Sequence, residues 1–208
     1  MRVRPISPEA LVEELAELIA ARPGGSRVRV AIDGAPPARP ELLADALVEP
    51  LRVLGRAVVR VSAADFLRPA SLRLEFGRTD PDVFYDEWLD VGALRREVLE
   101  PLDPGQSGKV LPKLWDSRAD RAYRSSYQTL PEDGVLLLDG TLLLGRWLPF
   151  ELSVHLWLSH GALTRGTAQD ELWRLPAYQR YEREVEPQRL ADVVVRADHP
   201  DRPALVTG

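Results

Sequence analysis

The segment Val135-Leu136-Leu137-Leu138-Asp139-Gly140 constrains the fold more than any other: four apolar residues in a row, then an acid and a glycine. A strand with one wet face alternates polar and apolar residues. A strand apolar throughout must be covered on both faces, as in a parallel sheet wrapped by helices. Val28 to Ile32 has the same form, with Arg29 inserted and Asp33-Gly34 at its end. Ala57 to Val61, Leu152 to Leu158 and Ala191 to Arg196 supply three more strands.

Helical patterns lie between these strands. Leu11, Leu15, Leu18 and Ile19 recur with helical spacing between Pro8 and Arg22, behind a capping Ser7. A second helix runs from Leu42 to about Leu54, where Pro50 is expected to kink or shorten it. Leu89 to Leu99 forms a third, and Ala162 to Gln188 forms two pieces. Strands alternating with helices predict a three-layer α/β/α sandwich around a mostly parallel five-stranded sheet.

The 208 residues are expected to form one domain: an N-terminal helix and linker over 1–25, then a core over 26–200. The break between them falls at Pro23-Gly24-Gly25-Ser26. An irregular stretch spans 64–85, and a loop or hairpin excursion about 104–126.

With 27 basic and 32 acidic residues the net charge is -5, and the basic residues are scattered. No basic stripe is present for a nucleic acid. There is no cysteine, and His155, His160 and His199 show neither metal-ligand spacing nor a carboxylate pattern. They read as structural or surface residues, with no metal site. No apolar run reaches the roughly 20 residues of a membrane span. Met1 to Pro5 leads toward an amphipathic helix and not a signal-peptide core. The expected location is the cytoplasm, without a membrane partner.

Ligands of open parallel sheets bind beyond the carboxyl ends of the strands. Three acids stand there: Asp33 before Gly34, Asp65 in Ser62-Ala63-Ala64-Asp65-Phe66, and Asp139 before Gly140. A phosphate-binding loop at the first would read Gly-x-x-x-x-Gly-Lys-Ser/Thr between strand and helix. The residues are Gly34-Ala35-Pro36-Pro37-Ala38-Arg39-Pro40-Glu41, which keep only the first glycine.

The run Val28 to Gly34 followed by Leu43-Ala44-Asp45-Ala46-Leu47 resembles the opening of bacterial uridine kinases and their actinobacterial relatives. The resemblance continues through Val59 to Phe66, Phe84-Tyr85, Val135 to Gly140 and Ala191 to Val195. It covers about 26–200, in order and without large gaps. It implies a P-loop kinase fold and a gapless register in which Arg39 stands at the second glycine, Pro40 at the lysine and Glu41 at the hydroxyl residue. Each change works against ATP. Arg39 adds a side chain where the backbone turns closely, and Pro36, Pro37 and Pro40 remove N–H donors. Glu41 sets a carboxylate at the helix N-terminus, where phosphate would lie. Arg39 stands one residue early to replace the lysine, and nothing in the sequence requires Lys109 or Lys113 over the site.

The resemblance makes Asp65 the base that takes a proton from a sugar hydroxyl; a turn-capping aspartate is the competing reading. It places Asp139 near metal and phosphates, against a plain Asp-Gly turn. Arg165 and Arg174 fall in the family's arginine-bearing lid, although Gln169 precedes Asp170 where an arginine is usual. Trp115, Asp116 and Arg121, with Tyr123 nearby, fall where the family binds its nucleoside; loop-anchoring aromatics are the alternative. The resemblance suggests a nucleoside or other small-molecule hydroxyl as ligand, and a homo-oligomer is compatible with it. Two main readings follow: a kinase fold with lost phosphoryl transfer, or an active kinase using ATP and Mg²⁺ through an atypical loop. A third, recruitment to a reaction without nucleotide, stays open.

Overall fold

The structure, a computed structural model, describes residues 2–22 and 25–207. Of the chain break expected at Pro23-Gly24-Gly25-Ser26, Pro23 and Gly24 lie outside the described residues, and Gly25 turns with φ 84°. In chain order the elements begin with β1 (Arg2–Pro5), α1 (Pro8–Ala20), β2 (Val28–Gly34), α2 (Pro40–Val53) and β3 (Val58–Ser62). Short helices α3 (Ala70–Arg73), α4 (Pro81–Glu87) and α5 (Val91–Leu94) follow, then four two-residue strands: β4 (Lys109–Val110), β5 (Trp115–Asp116), β6 (Arg121–Ala122) and β7 (Gln128–Thr129). The remainder is β8 (Val135–Gly140), β9 (Leu152–Trp157), α6 (His160–Gly166), α7 (Leu175–Glu184), α8 (Pro187–Leu190), β10 (Val193–Arg196) and β11 (Ala204–Thr207).

The sheet has seven strands in the order β1-β11-β10-β9-β2-β8-β3, so the expected five gain two. The five expected strands pair in parallel, while β1 and β11 add an antiparallel ribbon at the β10 edge. Val28 to Gly34 is buried along its whole length, as the apolar pattern requires of the central strand. α1 and α2 cover one face with Leu11, Leu15, Ile19, Leu47 and Leu51. Phe66, Leu94, Val98 and Leu99 cover the other against Leu136 and Leu138.

Ser7 caps α1 by accepting from Ala10 N. α2 is not cut at Pro50 but runs on through it to Val53. The stretch 64–85 is less irregular than expected, since α3 and α4 lie within it. Leu89 to Leu99 is only partly α-helical: Leu89 bridges Leu67, α5 follows, and Arg95–Leu99 winds as a π-turn. The excursion at about 104–126 contains the β5–β6 hairpin and the strand β4, which pairs with β7. Arg29, the odd residue of β2, explains its place by holding Asp103, Glu151 and the Leu99 carbonyl at the lower end of the sheet. Among the described residues no helix is long and apolar enough to cross a membrane.

Candidate functional site

The carboxyl ends of β2, β3 and β8 bring Gly34, Ser62 and Asp139 together, and a cavity of about 510 Å³ opens above them. Gly34, Pro36, Pro40, Glu41, Asp139 and Arg174 are among its walls. The loop after β2 turns through a short 3₁₀ segment, Pro36–Ala38, before α2 begins at Pro40. Arg39 takes φ 55° and ψ 54°, the left-handed conformation that favours glycine. The backbone thus keeps a left-handed turn at the position the sequence fills with arginine.

Two donors of this loop are spent within it. Ala38 N–H donates to the Ala35 carbonyl at 2.8 Å, and Arg39 N–H to the Pro36 carbonyl at 3.0 Å. Pro36, Pro37 and Pro40 have no N–H to offer. The outer side of the loop is also occupied. A Cβ on Gly166 would stand 2.6 Å from Pro37 Cβ, so the end of α6 rests directly on the loop.

Asp139 is buried beside a cation from the protein itself. Arg60 Nη2 lies 3.0 Å from Asp139 Oδ1, and Arg60 Nε 2.8 Å from Asp45 Oδ1. Arg60 also donates to the Glu41 carbonyl, and Ser62 Oγ donates to Asp139 Oδ2 at 3.0 Å. Burial pushes the Asp139 carboxyl up to about 6, with Arg60 and Ser62 holding it down. Arg60 is therefore the cationic partner of Asp139 at the floor of the cavity. The loop presents few donors, Glu41 sets a carboxylate at the start of α2, and Arg60 sets a guanidinium beside Asp139.

Asp65, in the turn after β3, lies at the foot of the β5–β6 hairpin, where its carbonyl accepts from Leu114 N. Lys113 Nζ stands 3.7 Å from its carboxylate and 5.3 Å from the Tyr123 ring centre. Asp65, Lys113 and Tyr123 therefore form one group, which the sequence did not require of Lys113. Lys109, on β4, is exposed.

The other residues expected around a nucleoside are drawn into the hairpin. Asp116 Oδ1 accepts from Arg118 N and Ala119 N at the hairpin tip, which holds its carboxyl below the usual range. Trp115 Nε1 donates to Asp120 Oδ1, and Arg121 pairs in register with Asp116 while remaining exposed.

Arg165 does not reach the Asp139 cavity. It lines a separate hollow of about 620 Å³ with Arg39, Arg174 and His199. Arg174 borders both, its guanidinium stacked among Phe84, Trp88 and Trp173 at 4.8, 5.0 and 5.1 Å from their ring centres.

Behind the loop lies a polar group that the sequence reading did not see. Asp33, fully buried, accepts from Leu143 N at 2.9 Å and from the Tyr181 hydroxyl at 3.0 Å, and faces His155 Nδ1 at 2.7 Å. His155 is therefore surrounded by carboxylates, contrary to the expectation for the histidines. Burial opposes its protonation, but the bond to Asp33 and the nearby charges of Asp33 and Glu182 outweigh burial and hold it up to about 9. Tyr178 and Tyr181 are both pushed up, chiefly by burial. Arg60 and His155 sat inside strand patterns, where a polar residue at alternate positions was the only signal.

No family model matches the chain, and no curated protein matches it by sequence. Solved structures do. A possible uridine kinase from Bacillus stearothermophilus superposes with a TM-score of 0.72 at 22% identity, covering 88% of this chain and 96% of that one. A provisionally assigned fructose transport system kinase from Silicibacter sp. TM1040 gives 0.62 at 22% identity, over 91% and 98%. The mostly parallel sheet with helices on both faces is the fold of the P-loop kinases.

Proposed function

We propose that this chain is a uridine-kinase-like protein that has lost ATP-dependent phosphoryl transfer and keeps the cavity above Asp139 as a small-molecule pocket. The observation that carries the reading is the loop after β2, where two N–H groups bond the loop's own carbonyls and three prolines offer none. Phosphoryl transfer depends on positioning and on charge from lysine, metal and backbone donors, and three of those elements are replaced here. Arg60 beside Asp139 supports the same reading, because it supplies internally the charge that a bound metal would bring. The proposal takes residues 1–208 as one unit acting in the cytoplasm on a nucleoside or similar small hydroxylated ligand.

Calorimetry tests it. ATP with Mg²⁺ at millimolar concentration should give no binding heat with the natural sequence. The variant Arg39→Gly, Pro40→Lys, Glu41→Thr should bind. Useful affinity in the natural protein would overturn the reading.

A second reading, an active kinase with an atypical loop, draws on the grouping of Asp65 with Lys113 and Tyr123. In that reading Asp65 is the base for an acceptor hydroxyl, and Lys113 stands beside its carboxylate. Product formation from a nucleoside panel, lost in Asp65→Asn, would favour it.

A further inference from the structure

The cavity above Asp139 is lopsided in charge. Its carboxylates, Glu41 and Asp139, are gathered on the α2 side, where Arg60 donates to the Glu41 carbonyl and pairs with Asp139. Two of its arginines are gathered on the α4 side. Arg146 Nε donates to the Leu142 carbonyl at 2.6 Å, and Arg146 Nη2 to the Tyr85 carbonyl. Arg174 lies over the rings of Phe84 and Trp88 and is paired with Glu171. A third, Arg118, reaches the cavity from the tip of the β5–β6 hairpin.

Two of these cations lack an anion. Arg146 forms no ion pair among the described residues, and burial lowers its pKa, with the charges of Asp86 and Asp33 only partly offsetting that. An arginine does not escape by losing its proton, so the charge stays. Its third nitrogen, Nη1, has no partner among the described residues and keeps accessible surface. The Arg118 side chain is exposed and makes no hydrogen bond or ion pair among the described residues. A charge drawn out of water is ordinarily paired, so Arg146 calls for an anion from outside the chain. At the other end Glu41 and Asp139 offer carboxylate oxygens, which a hydroxyl can meet as donor. Leu67, Trp88 and Leu89 add an apolar wall, and about 510 Å³ is the size of a small-ligand pocket. We propose that the occupant is a small hydroxylated molecule carrying an anionic group, carboxylate or phosphate, with the anion at Arg146 and Arg118 and a hydroxyl at Glu41 or Asp139. This rests on the reading of the cavity as a small-molecule pocket and adds the charge of its ligand.

Saturation-transfer NMR on the full chain, without Mg²⁺, tests the proposal with four probes at millimolar concentration: D-ribonate, D-ribose 5-phosphate, D-ribose and uridine. At least one of the two anions should bind saturably and more tightly than D-ribose, and which of them binds separates carboxylate from phosphate. Arg118→Gln changes an exposed side chain, so the melting temperature should hold while the anion weakens about three-fold. Arg146→Met should weaken it about ten-fold or more, the loss of a charged hydrogen bond. Where Arg146→Met melts early, Arg118→Gln carries the test. Arg165→Gln, in the other hollow, should leave the anion's affinity as it is. The proposal alone is overturned if D-ribose or uridine binds at least as tightly as both anions. It is overturned as well if Arg118→Gln leaves the anion's affinity unchanged, or if Arg165→Gln weakens it as much. If none of the four binds, the pocket reading falls with it.

Discussion

The guanidinium of Arg60 lies 3.0 Å from the carboxylate of Asp139, two residues whose strands are separated by more than seventy positions of chain. The side chain of Asp139 is 4% exposed and that of Arg60 27%, so the pair sits between the surface and buried limits. Its consequence is functional as well as structural: the acid at the end of β8 already has a cationic partner.

Arg60→Met leaves Asp139 buried without its charge partner. Stability should fall by about 1–3 kcal/mol, less than for a fully buried pair because Arg60 is partly solvated. Asp139→Asn in the same background should recover part of the loss. Urea denaturation of the four proteins gives the coupling energy, and a coupling near zero would show the contact to be incidental.

His155 makes stability pH-dependent in a definite direction. Its folded value, about 9, lies above the ordinary 6.5. The imidazolium therefore contributes fully below about pH 6.5, loses its contribution as pH rises toward 9, and contributes nothing above. The groups facing it are Asp33 from β2 and Tyr181 and Glu182 from α7. Unfolding free energy should drop by about 2–3 kcal/mol between pH 6.5 and 9.5. His155→Gln should be less stable at neutral pH and show a flatter profile. An equally steep profile in the variant would assign the titration elsewhere.

The five parallel strands were legible because each is rich in apolar residues, and β2 and β8 also end in Asp-Gly. β1 and β11 were not, since Arg2-Val3-Arg4-Pro5 is exposed along its length and carries no hydrophobic pattern. Its partner β11 lies some two hundred residues away, a pairing no local window contains. Chain order sets Arg39 at the second glycine of the expected phosphate loop, and its φ of 55° is compatible with that expectation. The Asp33 group was hidden for a different reason. Asp33 and His155 are 122 residues apart, and only the parallel pairing of β2 with β9 brings them level. A strand-end Asp-Gly and a histidine in an apolar run each had an ordinary local explanation.

Arg39 adopts a left-handed conformation without being glycine. Such a residue costs roughly 1–2 kcal/mol, of which part returns through the greater unfolded-state freedom of glycine. Arg39→Gly alone should therefore raise stability by about 0.5–1 kcal/mol. It should not confer ATP binding, because Pro36, Pro37 and Pro40 still lack donors. Thermal melting and calorimetry on the single variant check both halves. Appearance of ATP binding would mean that one side chain, and not the closed loop, blocks the site.

The contact between Gly166 and Pro37 gives the sharpest test of how the loop is held. Glycine within a helix ordinarily gains about 0.5–1 kcal/mol on replacement by alanine. Here the new Cβ would stand 2.6 Å from Pro37 Cβ, inside contact distance, so α6 or the loop must give way. Overpacking of that kind costs about 1–3 kcal/mol, which reverses the usual sign. Gly166→Ala should therefore destabilise, and Pro37→Gly in the same chain should relieve the clash while removing the ring that fixes the loop. The pair should be less damaging than the sum of its parts, as expected for residues that touch. Denaturation curves decide the matter. If Gly166→Ala proves stabilising, α6 does not rest on the loop, and the loop's closed form is set by its prolines alone.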